Sequence, residues 1–123
     1  MAISVQWDNL EQTIVRWDFV GEWDWAMYLD AQRQSNMLIQ SVEHHVDVIG
    51  DVSRSPLLPK NALGNYNSFQ RNTLDNHGLI VLVGTSSFVR NMVTMFTKLY
   101  KVSGQGFAFA DTLEEARAML TKR

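Results

Sequence analysis

The stretch Gly78-Leu79-Ile80-Val81-Leu82-Val83-Gly84-Thr85-Ser86-Ser87 decides the fold. Its apolar run, closed by glycines, is too short for a core helix and too continuous for a strand with one wet face. It reads as a strand buried on both sides, which belongs to a parallel sheet covered by helices. Gly84 ends the strand, and Ser86 or Ser87 can cap a helix whose apolar stripe is Val89, Met92, Val93, Phe96, Leu99 and Tyr100.

Working outward from that unit, Val46 to Val52 is a second mostly buried strand rich in β-branched residues. The two prolines, Pro56 and Pro59, place a loop over Ser53 to Lys60, and Ala62, Leu63, Tyr66 and Phe69 predict a helix after it, ending near Asn72 to His77. Downstream, Ser103-Gly104-Gln105-Gly106 breaks the chain before a short strand, Phe107 to Ala110. Thr112-Leu113-Glu114-Glu115 is a capping box for a last helix that buries Leu113, Ala116, Met119 and Leu120. Upstream, Asp24 caps a helix from Trp25 to about Val42 with Tyr28, Leu29, Leu38, Ile39 and Val42 on its apolar side.

The N-terminus alternates. Ile3, Val5 and Trp7 share one face and Ser4, Gln6 and Asp8 the other, while Val15, Trp17 and Phe19 oppose Arg16 and Asp18. Two such strands across a short polar turn predict an antiparallel hairpin. The order is therefore β-β-α-β-α-β-α-β-α: an α/β fold with one mixed five-stranded sheet and four helices, in a single domain over 1–123. Crossovers between parallel strands are right-handed, which predicts helices on both faces.

Composition narrows the chemistry. Eleven basic residues against thirteen acidic ones, a net charge of −2 and no basic cluster argue against nucleic acid as partner. With no Cys, disulfides, thiolate nucleophiles and thiolate metal sites are excluded, and a reducing compartment fits. No apolar run reaches the roughly 18 residues of a membrane span, and residues 1–8 do not resemble a signal peptide. A cytoplasmic protein, not an integral membrane protein, is expected.

Candidate chemistry is sparse. His44 and His45 are adjacent and point apart, so with His77 they make a poor metal set, and neither metal nor cofactor is expected. Asp47 and Asp51 project to one side of their strand, but about 13 Å separates them, too far for a carboxylate dyad. Asp51, at the strand's end, is the candidate for holding the loop of Ser53, Arg54 and Ser55. Thr85 and Ser86, with Arg90 one turn on, sit where a helix N-terminus favours anions, without the lysine and glycine spacing of a P-loop. Trp7, Trp17, Trp23 and Trp25 read as core, as does the cluster Met92, Met95 and Phe96. No nucleophile–base constellation supports a small hydrolase.

Element order and local stretches resemble the STAS family, the sulfate-transporter and anti-sigma-factor-antagonist domain. Asp51-Val52-Ser53 is similar to its Asp-Leu-Ser, and Ala110-Asp111-Thr112-Leu113-Glu114-Glu115-Ala116 looks like its last strand and helix. The likeness spans nearly the whole chain. In phosphorylated members a serine opens the second helix; here, in Pro59-Lys60-Asn61-Ala62-Leu63-Gly64, Asn61 stands in its place. The resemblance thus implies a SpoIIAA-like signalling fold without the kinase switch: a non-enzymatic regulatory or binding module. Its partner would be a protein or a small or lipid-like ligand, met by Asp51, Ser53, Arg54, Ser55, Asn61, Thr85, Ser86 and Arg90, and a homodimer is compatible. The alternative is a degenerate response-regulator receiver-like domain with Asp51 in the phosphoacceptor's place, although no Lys follows the last strand until Lys122.

Overall fold

The computed structural model describes residues 2–55, 74–87, 89–91, 94 and 107–121. Five strands form one sheet in chain order: β1 (Ile3–Trp7), β2 (Ile14–Val20), β3 (Val46–Arg54), β4 (His77–Val83) and β5 (Phe107–Ala110). β1 runs antiparallel to β2, and every other neighbouring pair is parallel. Helix α1 (Trp25–Gln40) joins β2 to β3, α2 opens at Ser87 with 89–91 and 94 helical, and α3 (Leu113–Thr121) follows β5. The mixed five-stranded sheet is the one expected. Three helices lie among the described residues; the fourth, expected over Ala62 to Phe69, falls outside them, as do Asn61 and most of the α2 stripe.

Alternation along the strands separates two apolar layers. On one face, Ile3, Val15, Trp17, Phe19, Val46 and Val48 pack beneath Ala31 and Ile39 of α1. On the other, Ile14, Ile49, Val81, Val83 and Ala110 pack beneath Ala116 and Leu120 of α3. Helices thus cover both faces. Trp17, Phe19, Trp23, Trp25 and Tyr28 form a continuous ring cluster with centroids 5.2–5.9 Å apart. Such contacts add about 0.5–1.5 kcal/mol per pair beyond burial. Trp17 and Trp23 are buried, as a core role requires, and burial pushes the Tyr28 hydroxyl's pKa upward.

Local chemistry sets the ends of the elements. Asp24 caps α1 by accepting the Met27 N–H at 2.8 Å, and Ser86 Oγ accepts the Val89 N–H at 3.2 Å to open α2. At α3, Thr112 Oγ1 accepts from the Glu115 N–H at 3.1 Å, but the Glu115 carboxylate turns to the Asp111 N–H, so the capping box is half made. Asn76 Nδ2 lies 2.9 Å from the Ile39 carbonyl and 3.1 Å from those of Val42 and His44, closing the far end of α1.

Three expectations are corrected. Ser53 and Arg54 belong to β3 rather than to a loop, because Arg54 still pairs with Val20 and its carbonyl accepts the Gly21 N–H at 3.0 Å. His77 starts β4 opposite Val46 instead of ending a helix, and it is buried. Leu29 is 40% exposed, since Ala31, Ser35 and Ile39, each one helical turn apart, take the buried line of α1.

Candidate functional site at the carboxyl ends of the strands

Parallel strands deliver their carboxyl ends to one edge of the sheet, where ligand sites of α/β proteins form. Here those ends are joined by side chains and tight turns. Ser55 Oγ donates to the Gly21 carbonyl at 2.6 Å, which ties the end of β3 to that of β2. Asp51, 6% exposed, accepts both the N–H (3.0 Å) and the Oγ–H (2.6 Å) of Ser53 through one carboxylate oxygen. This is the Asx geometry that an Asp two residues before a Ser favours, here within the last residues of β3 rather than beyond them.

Ser53 in turn lies against Gly84. A Cβ on Gly84 would meet the Ser53 Cβ at 2.5 Å and its Cα at 2.7 Å, and Gly84 has φ +75°. Only glycine fits both demands. The Gly84 N–H then donates to the Ala110 carbonyl at 3.1 Å, joining β4's end to β5's. The Arg90 guanidinium lies 4.9 Å from the Phe109 ring centroid and 3.7 Å from the Asp111 carboxylate. Four carboxyl ends are thereby bound into one belt.

Residues singled out from the sequence divide along this belt. Ser53, Arg54 and Ser86 are exposed on it, and Thr85 and Arg90 are half-buried. Asp51 and Ser55 are buried and serve the belt itself rather than solvent. Thr85 Oγ1 and Arg90 Nε are shielded and have no hydrogen-bond partner among the described residues. The Gly84–Ser87 turn is thus less open to an anion than its sequence implies, because Ser86 Oγ already takes up the Val89 N–H and Arg90 faces β5.

Of the remaining titratable candidates, His45 is exposed, while Asp47, His44 and His77 are engaged. Asp47 accepts the Leu79 N–H at 2.8 Å, across the irregular register between β3 and β4. His44 Nε2 lies 2.7 Å from the Gln12 carbonyl. His77 Nδ1 lies 3.0 Å from the Gly78 carbonyl, and burial lowers the His77 pKa against the opposing pull of that carbonyl and Asp47. No set of three metal-ligating side chains occurs among the described residues. A shallow depression of about 390 Å³ lies at the opposite end of the sheet, lined by Trp7, Asp8, Asn9, Leu10 and Gln12.

Sequence reasoning missed one charged network. Arg117 of α3 grips Asp8 through two hydrogen bonds (2.9 and 2.8 Å), Arg16 adds a third, and Arg16 also reaches Asp18, which accepts from Gln6. The Asp8 side chain is 2% exposed. Burial works to raise its pKa, but hydrogen bonds and charge from Arg117 and Arg16 outweigh that and hold it below the ordinary carboxylate range. Gln6, Asp8, Arg16 and Asp18 share the polar side of the hairpin, which was the available signal; Arg117, 109 residues away, had none.

Among the described residues, no helix is long and apolar enough to cross a membrane. Compared with protein-family models and with curated proteins, the chain gives no match, so the STAS resemblance stands on the sequence stretches and element order alone.

Proposed function

We propose that the chain is a non-enzymatic, STAS-like regulatory or binding module whose docking surface is the belt at the carboxyl ends of β3, β4 and β5. The observation that carries this reading is the chain of contacts Asp51–Ser53–Gly84–Ala110, which ties the strand ends together with Ser53, Arg54, Ser86 and Asp111 exposed beside it. Side chains carried on strand ends tied in this way have less ordering entropy to lose on binding than side chains on a free loop.

The carboxylates favour docking over catalysis. Asp47 is spent on the Leu79 N–H. The Asp51 oxygen that accepts the Ser53 Oγ–H also accepts the Ser53 N–H, so this pairing closes a local turn, with no histidine or second base beside it among the described contacts. Strand order weighs against the receiver-like alternative. Receivers use the order 2-1-3-4-5, whereas this sheet runs 1-2-3-4-5 with an antiparallel edge. The partner is a protein or a small or lipid-like ligand, and Asn61 in place of the family's serine implies that no phosphorylation at that position controls it.

Native mass spectrometry of freshly purified protein tests the small-ligand form of the reading. The expected result is a species heavier than the bare chain that is lost in Arg90→Ala while the variant stays folded. Retention of the same added mass by Arg90→Ala and by Ser53→Trp would move the site elsewhere.

A further inference from the structure

β1 lies at the end of the sheet, and its hydrogen-bonding row points outward in a defined way. The Val20 N–H donates to the Ala2 carbonyl and the Asp8 N–H to the Ile14 carbonyl, both at 2.8 Å. With Ser4 opposite Asp18 and Gln6 opposite Arg16, the even-numbered residues turn their backbone groups toward β2. Antiparallel alternation then sends the N–H and C=O of Ile3, Val5 and Trp7 away from the sheet. No described residue hydrogen-bonds to those six groups.

Natural proteins blunt such edges with charge, proline, bulges or a covering segment. Ile3-Ser4-Val5-Gln6-Trp7 contains no charge and no proline, and its register with β2 is unbroken. The row is also self-complementary. A twofold axis at Val5 sets Val5 against Val5 and Ile3 against Trp7, and all six outward groups then pair. Shifting the register by two residues leaves groups unpaired, and shifting it by one turns the apolar side chains to the wrong face.

Side chains agree with the same register. Ser4 falls opposite Gln6, so no like charges meet. Val5 and Trp7, half-exposed on the α1 face, come together across the axis and extend the apolar layer that contains Ile3 and Trp17. We propose that two copies of this chain associate through antiparallel β1–β1 pairing about Val5, making one ten-stranded sheet. The contact is isologous, and it leaves the carboxyl-end belt of each copy uncovered at the surface described above.

Sedimentation velocity of the full chain from about 10 µM to about 1 mM covers the affinity of a short strand pairing. The expected result is a concentration-dependent dimer that Val5→Pro abolishes. Val5 is the position where proline removes only an outward N–H, so the bonds from β1 to β2 survive. Because the chain has no Cys, Val5→Cys adds a single thiol on the axis, where paired Cα atoms lie about 5.5 Å apart. It should form the disulfide-linked dimer on mild oxidation, and Ser4→Cys should not. In the unmutated chain, the amides of Ile3, Val5 and Trp7 should gain protection from hydrogen exchange as concentration rises. A chain that stays monomeric throughout, a dimer unaffected by a folded Val5→Pro variant, or equal cross-linking at positions 4 and 5 would overturn the proposal.

Discussion

Replacing Asp8 with Asn removes the charge that two arginines share at the seam between the hairpin and α3. Three charge-assisted hydrogen bonds converge on a carboxylate whose side chain is 2% exposed. Breaking a fully buried ion pair costs about 3–5 kcal/mol. Here Arg117 and Arg16 keep 43% and 24% of their side-chain exposure, so water recovers part of the loss, and Asn retains one acceptor oxygen. About 2 kcal/mol should remain at pH 7, a fall in Tm of about 6–10 °C for a chain of this length. The pH dependence fixes the cause. Asp8 titrates below the ordinary value of 3.8 when folded, so its stabilisation is present above that value and is lost progressively as pH falls from there through the lower folded value. Urea unfolding followed by tryptophan fluorescence should therefore show a gap between the two proteins at pH 7 that narrows at pH 3. Arg33→Ala, which breaks an exposed pair with Asp30, serves as the control and should change stability by no more than about 0.5 kcal/mol. A difference below about 0.5 kcal/mol for Asp8→Asn at pH 7, or a gap that persists unchanged at pH 3, would refute the reasoning.

Gly84→Ala should cost about 2–4 kcal/mol in urea unfolding, because alanine must adopt φ +75° while its Cβ meets Ser53; a change below about 0.5 kcal/mol would contradict the close approach. Asp47→Ala removes the acceptor for the Leu79 N–H and should cost about 1–2 kcal/mol, with faster hydrogen exchange at Leu79 as its local signature. His77 is held below its ordinary value of 6.5, so its contribution to stability is present above that pH and is lost as pH falls toward the lower folded value. The urea midpoint should drop between pH 7 and pH 5, and the drop should be smaller in His77→Gln; an equal drop in both would assign the acid sensitivity elsewhere.

Local periodicity carried most of the fold. The bounds of β5 and the start of α1 follow directly from Gly106 to Asp111 and from the Asp24 cap, because each signal lies within a few residues of the feature it sets. β3 runs past its apolar segment because pairing with Val20 and Gly21 continues where hydrophobicity stops, and polar residues at a strand's end carry no period-two signal. The buried line of α1 contains Ala31 and Ser35, small side chains that a hydrophobic stripe does not reveal and that let the helix approach the sheet. At the site, the tie between Asp51 and Ser53 was legible as a two-residue spacing. The seat of Ser53 on Gly84 joins different strands, and the engagement of Arg90 with Phe109 and Asp111 joins α2 to β5; both depend on strand order, which local sequence does not encode. The Asp8–Arg117 pair was hidden for the same reason.

Amide shift mapping of ¹⁵N-labelled chain in clarified cell extract tests the central claim most directly, because it responds to a ligand and to a protein partner alike. The account predicts shifts or broadening grouped at Ser53, Arg54, Thr85, Ser86, Arg90 and Asp111, and loss of that pattern in a folded Arg90→Ala variant. Perturbations grouped on the outer face of α1 or at the Asn9–Gln12 turn, with the strand ends unchanged, would contradict it.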